Sequence, residues 1–184
     1  MTLHDDQHWE LTHSERGPEL PLFKVRLDWF KNPRNAAAMR ALVLEAADWV
    51  NVVALTPEKK ILVVRQFRFG MGKFTIEIPA GLIEPGEPHA EAARRELVEE
   101  TGYTAREWRY LGWVQANPAF MNNLCHLWLA LDVVPNGVAH LDEGENIQIA
   151  ELTLEEVCEQ IRTGEMRNSL TLLALSRVFD LRDS

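Results

Sequence analysis

The stretch from His89 to Gly102 leaves this chain the least freedom. Ala93 and Leu97 recur at helical spacing on one face and Glu96 and Glu100 on another, with Glu99 beside them, and Gly102 stands where a helix would stop. Like charges one turn apart cost a helix about 0.2 to 0.5 kcal/mol per pair. A purely structural helix can avoid that cost, so a cation held among these carboxylates is the natural reason to keep them. A solvated acidic face is the reading that composition alone offers. Hard carboxylate oxygens suit Mg²⁺ or Mn²⁺, and Mg²⁺ fills its remaining positions with water and phosphate oxygens. Arg95, four residues before Glu99, can pair with it and hold the carboxylate in place. Gly81 and Gly86 let the preceding loop, from Pro79 to Pro88, bend close to the helix and turn backbone carbonyls, Ala80's among them, toward a metal.

The surroundings alternate strand and helix signals. Val52 to Leu55 and Ile61 to Val64 flank Thr56-Pro57-Glu58-Lys59-Lys60, the composition of a hairpin connection, and Phe74 to Ile78 reads as a further strand. Strands resume at about Arg109 to Val114, Leu124 to Val133 and Ile147 to Ile149. Thr153 with Glu156 forms a capping-box signature, and Asn168 or Ser169 opens a last helix over Leu170 to Leu181. Before all this, from Trp9 to Glu45, extended segments broken by Gly17-Pro18 and by Lys31 to Asn35 predict a small antiparallel sheet. The expected division is a β appendage over residues 1–47 and a catalytic domain over 48–184.

Lys and Arg total 19 against 28 Asp and Glu, a net charge of −9, which argues against general affinity for nucleic acid. A phosphate substrate must then be met by bound metal or by a few placed arginines. No apolar run is long enough to span a membrane and the first residues lack a secretory pattern, so a cytoplasmic location is expected. Cys125 and Cys158 lie far apart and outside any CxxC pair, which reads as two reduced packing residues. His126, inside a strand pattern, reads as a satisfied interior histidine.

Spacing says more than composition. Gly81-x5-Glu87-x7-Arg95-Glu96-Leu97-x-Glu99-Glu100-x-Gly102-Tyr103 agrees with the Nudix box at each of its nine defined positions over 23 residues. The chain thus resembles the Nudix superfamily. The resemblance implies an α+β fold, a Nudix α/β/α sandwich with a mixed sheet, beside the small N-terminal antiparallel β appendage. It also implies Glu96 and Glu100 as the main metal ligands, Glu99 and the Ala80 carbonyl assisting, Glu87 as an outer acid, and two or three Mg²⁺ or Mn²⁺ ions.

Arg65-Gln66-Phe67-Arg68, then Glu77-Ile78-Pro79-Ala80-Gly81, then Glu84-x-Gly86-Glu87 are similar to ADP-ribose and nucleotide-sugar pyrophosphatases, and Pro118, fifteen residues beyond Tyr103, resembles that group's proline marker. The group's pattern implies a homodimer with exchanged N-terminal sheets. Arg68 matches a substrate-binding arginine of the group; Glu77, Gly81, Leu82 and Pro118 are further candidate substrate contacts, and Trp29 and Phe30, in the appendage, are candidates to stack a base. For Arg68 and Glu77 an ion pair, for Trp29 and Phe30 core packing, and for Pro118 a plain turn are the alternatives. Arg95 and Glu99 would support catalysis, and an acid in Asp142-Glu143-Gly144-Glu145 would be the general base, Glu143 ahead of Glu145, with an acidic surface turn as the alternative. Dinucleoside polyphosphates, NADH, coenzyme A or capped RNA are rival substrates. A sensor that binds without cleaving is the rival class.

Overall fold

The structure, a computed structural model, describes residues 8–136, 139 and 146–181. Their contacts separate two compact units, one holding the described residues up to Ala47 with Gln115–Asn123, the other Asp48–Val114 with the described residues from Leu124 onward.

In the first unit β1 (Glu10–Glu19), β2 (Lys24–Lys31) and β3 (Ala38–Glu45) form a three-stranded antiparallel sheet. At the Asp28 carboxylate Ser14 and Arg26 converge, so the most buried position of β2 is a satisfied charge rather than an apolar side chain. Trp9, Leu11, Met39 and Leu42 remain between 42 and 53% exposed, far more apolar surface than a free three-stranded sheet leaves uncovered at low cost. The Gln115–Asn123 segment joins this unit through Leu44, whose amide donates to the Phe120 carbonyl.

The second unit is a sandwich. Its mixed sheet runs β12 (Gln148–Leu152), β5 (Ile61–Arg68), β4 (Trp49–Leu55), β10 (Leu124–Leu131), β9 (Glu107–Gln115), with β4 and β10 parallel. Strand alternation sorts the core into two layers. Val50, Val52, Ala54, Leu62, Trp128 and Ala130 pack with Ala92, Ala93 and Leu97 of α1 (His89–Thr101). Val53, Leu55, Ile61, Val63, Leu127 and Leu129 point the other way, onto Val157 of α2 (Leu154–Thr163) and Ala174 and Leu175 of α3 (Ser169–Ser176). The capping box at Thr153 and Glu156 is formed, and the Asn168 side chain caps α3.

Two expectations needed correction. The stretch read as loop from Pro79 contains a strand, β7 (Ala80–Leu82): β4 and β5 meet only at Leu55 and Ile61, and β6 (Lys73–Glu77) and β7 fill the opening, β6 on β5 and β7 on β4. The last helix ends at Ser176 rather than Leu181, although Val178, Phe179 and Leu181 still pack on the core. Two pairs of residues that gave no strand signal, β8 (Tyr103–Thr104) and β11 (Val134–Pro135), form a small sheet of their own. Among the described residues no helix is long and apolar enough to cross a membrane.

Candidate active site

Where β4 and β5 part, β7 is drawn under the C-terminal half of α1. Adding a Cβ to Gly81 would bring it 2.0 Å from Glu96 Cδ, so only glycine leaves that carboxylate its seat on the strand. One turn on, Glu100 is 3% exposed and accepts a hydrogen bond from the Ala80 amide at 3.0 Å. Thus β7 holds both carboxylates from below, one by leaving space and one by donating an N–H.

Arg95 organises the rest. Its Nε and Nη2 donate to the two Glu87 oxygens, both at 2.9 Å, while Nη1 donates to Glu96 at 2.8 Å and Glu99 at 2.9 Å, and Nη2 also reaches the Leu82 carbonyl at 2.8 Å. Only a planar guanidinium has donors enough, in a fixed fork, for three carboxylates and a carbonyl. The hydrogen bonds from Arg95 hold the Glu87 carboxyl below the usual carboxylate range, and the Arg95 pKa is raised by Glu87 first and then by Glu99 and Glu96, against its own burial. Glu96, Glu99 and Glu100 lie in the second half of a helix whose last turn carries no basic residue, at the end where the macrodipole already disfavours anions.

Glu96, Glu99, Glu100 and Arg95 line one wall of a cleft of about 410 Å³, with Gln66, Arg68, Ala80, Gly81, Leu82 and Glu84 completing it. Arg68, Ala80, Gly81 and Leu82 also border a second pocket of about 270 Å³ that continues to Trp49, Asn51, Glu77 and Asn168. Arg68 stands between the two. Its Nε and Nη2 pair with Glu77 at 2.9 and 2.7 Å, so the two residues singled out for substrate contact are joined in a bidentate ion pair. Glu77 is 2% exposed; burial pushes its carboxyl up, but hydrogen bonds from Arg68, Thr75 and Asn168 and the Arg68 charge outweigh this and leave it below the ordinary value.

The donor set suits a hard divalent cation. Glu96, Glu99 and Glu100 share one wall of the cleft, Glu84 also lines it, and the absence of a Cβ at Gly81 leaves room for the Glu96 carboxylate. Among the described residues no three such side chains are already disposed to enclose an ion, because Glu96 and Glu99 are turned onto Arg95 and Glu100 onto the Ala80 amide. Each carboxylate has lone-pair sites beyond those bonds. Beside them Gln66 is 7% exposed, and its Nε2 is buried without a hydrogen-bond partner among the described residues.

Residues 47–173 match the NUDIX domain. The chain belongs to the NUDIX family. It is 35% identical to a methanol dehydrogenase activator of Bacillus methanolicus over 83% of this chain and 82% of that one. It is also 34% identical to an ADP-ribose pyrophosphatase of Bacillus subtilis over 77% of each, and 34% identical to a GDP-mannose pyrophosphatase of Escherichia coli over 66% of this chain and 67% of that one. Among solved structures, an ADP compounds hydrolase superposes with a TM-score of 0.81 over 94% of this chain and 92% of its own, at 22% identity, which shows a shared fold.

Within this NUDIX domain, then, the structure gathers Ala80, Gly81, Leu82, Arg95, Glu96, Glu99 and Glu100 with Arg68 and Glu77. Trp29 and Phe30, on β2, and Pro118 belong to the other compact unit, where Trp29 packs against His13 with ring centroids 5.0 Å apart. Glu143 and Glu145 lie outside the described residues. Gln66 and Asn168 are site residues that sequence reasoning misses: Gln66 lies in a motif whose arginines carry the signal, and Asn168 reads only as a helix cap. Behind the second pocket, the buried Cys125 thiol donates to Asn51 and is pushed up to about 12 by burial and by Asp48, which makes it a poor nucleophile. His126 stacks on His89 at 4.3 Å and meets the Tyr110 hydroxyl at 2.8 Å.

Proposed function

We propose that this NUDIX hydrolase cleaves the diphosphate of ADP-ribose or a nucleoside diphosphate sugar to a nucleoside monophosphate and a sugar phosphate, using Mg²⁺ or Mn²⁺. The observation that carries this reading is the adjacency of two features, the carboxylate wall ordered by Arg95 and the Arg68–Glu77 pair, on a cleft that shares Arg68, Ala80, Gly81 and Leu82 with a second pocket. A diphosphate joining two bulky groups needs that layout. The names of the relatives agree with it, an ADP-ribose pyrophosphatase and a GDP-mannose pyrophosphatase.

Two or three divalent cations bound by Glu96, Glu99, Glu100 and the Ala80 carbonyl would offset the diphosphate charge and ease deprotonation of the attacking water. Arg68, fixed by Glu77, meets phosphate oxygens as a charged donor. Arg95 keeps the acids from splaying apart under their own repulsion. Glu143, or Glu145, takes the proton as the water oxygen bonds to one phosphorus, and the bridging oxygen leaves with the other phosphate. Leu82 and Gly81 line the route from the cleft to the second pocket, which suits the group beyond the diphosphate.

A non-cleaving sensor is disfavoured because none of the nine box positions departs from the pattern. The test is release of product across ADP-ribose, nucleotide sugars, dinucleoside polyphosphates and NADH, with Mg²⁺ or Mn²⁺ and with chelator. Turnover of ADP-ribose or a nucleotide sugar that chelator abolishes is expected; turnover confined to the other compounds would discard the substrate assignment.

The appendage over residues 1–47 is proposed to pair with a second copy, supported by the exposure of Leu11, Met39 and Leu42 on its sheet and of Trp9 just before it. Trp29, Phe30 and Pro118 would then contribute to specificity. Light scattering should give twice the 21.1 kDa chain mass, and a mass of one chain at micromolar concentration would rule the pairing out. A cytoplasmic location is proposed as well, supported by two buried cysteines that are both free thiols.

A further inference from the structure

Asn168 uses both ends of one amide. Its Oδ1 accepts from the Leu170 and Thr171 amides at 3.0 and 3.2 Å, capping α3, while its Nδ2 donates to Glu77 Oε2 at 2.9 Å across 91 residues of sequence. That same oxygen takes Arg68 Nη2 at 2.7 Å, and the other takes Arg68 Nε at 2.9 Å and Thr75 Oγ1 at 2.7 Å. The connection before α3 is also tied to β6, since the Ile76 amide donates to the Glu165 carbonyl at 3.1 Å and Met166 is fully buried. Asp and Ser cap helices as well as Asn does. Aspartate has no donor and serine would have to accept and donate through one hydroxyl oxygen of shorter reach, whereas Asn caps with its oxygen and donates to the buried carboxylate with a separate nitrogen, so capping alone does not account for the residue found here.

We propose that Asn168 is a positioning residue for diphosphate recognition, holding Glu77 so that Glu77 fixes the Arg68 guanidinium at the junction of the cleft and the second pocket. The proposal rests on the reading that Arg68 meets the substrate diphosphate. An aspartate at this position would cap α3 equally but would set a second carboxylate against Glu77. Arg68 would then be shared between two acids and drawn from the cleft.

The test compares Asn168→Asp with the wild type, alone and with Glu77→Gln. KM for the hydrolysed compound should rise about tenfold or more in Asn168→Asp, with kcat within about threefold; melting should fall by what the lost Glu77 donor and the added like charge cost, while the fold is kept because the cap persists. In the Glu77→Gln background, where the new amide can donate to Asp, the same change should cost less than about twofold, since neighbours that act together are not additive. The Arg68 Nε–H resonance, identified by its loss in Arg68→Lys, should move in Asn168→Asp whether or not any substrate is found. An unmoved resonance with an unchanged KM would overturn the proposal, and so would an equal loss in both backgrounds. A wild type that hydrolyses no diphosphate compound sinks the functional reading instead, and the resonance then decides the positioning role by itself.

Discussion

Glu100→Gln should lower kcat by about a thousandfold, roughly 4 kcal/mol of transition-state stabilisation, with only a small change in melting temperature. The two effects separate because the carboxylate has two duties. One oxygen accepts the Ala80 amide at 3.0 Å, and a glutamine oxygen of the same shape can still do so. What the substitution removes is the negative charge, and with it a ligand to a cation. Steady-state rates at saturating Mg²⁺ and thermal melts check both halves. A rate near that of the wild type would remove Glu100 from the metal site, whereas a fall in melting temperature of more than about 10 °C would make its role structural.

Arg95→Met should act on stability as much as on rate. Four hydrogen bonds tie this guanidinium to Glu87, Glu96 and Glu99, and the first two of those acids are at most 15% exposed, so their repulsion is poorly screened. Glu99 is 42% exposed and contributes less. Without the arginine the fold in chelator should lose about 2 kcal/mol, less than the 3 to 5 typical of a fully buried broken pair. Mg²⁺ should restore more stability to the variant than it adds to the wild type, because a cation bound only by the native state replaces the one removed. The rate should still fall by about 10- to 100-fold, since a metal does not reproduce the fork that aims the carboxylates. Urea unfolding with chelator and with Mg²⁺ measures this directly. Equal Mg²⁺ increments in the two proteins would show that Arg95 and the cation site are not coupled.

Much of this organisation is legible in the sequence. The start and stop of α1, the Thr153 capping box and the Asn168 cap are local chemistry, decided by residues within one turn of each other, and all three stand where the sequence puts them. The β7 strand is not legible, because three residues carry no periodicity and their pairing with Trp49 to Asn51 depends on β4 and β5 separating. The end of α3 escapes for a related reason: Val178, Phe179 and Leu181 continue an apolar pattern and do pack inward, but from irregular backbone. In the site, the spacing of Glu96, Glu99 and Glu100 is informative by itself. That Arg68 and Glu77 are each other's partners depends on the register of β5 against β6, in which Val64 faces Glu77, and the sequence does not state a register. Asn168 reaches the site only through tertiary packing, and Gln66 matters because it is buried without a partner for its Nε2, a property of the folded surroundings.

The central claim, metal-dependent cleavage of a diphosphate, is tested most directly by identifying the products formed from ADP-ribose by the wild type with Mg²⁺ in ¹⁸O-enriched water, followed by mass spectrometry. AMP and ribose phosphate are expected in equal amounts, with the label on one of the two phosphates and no reaction when chelator is present. Unlabelled products, cleavage at the glycosidic bond, or undiminished turnover in chelator would contradict it.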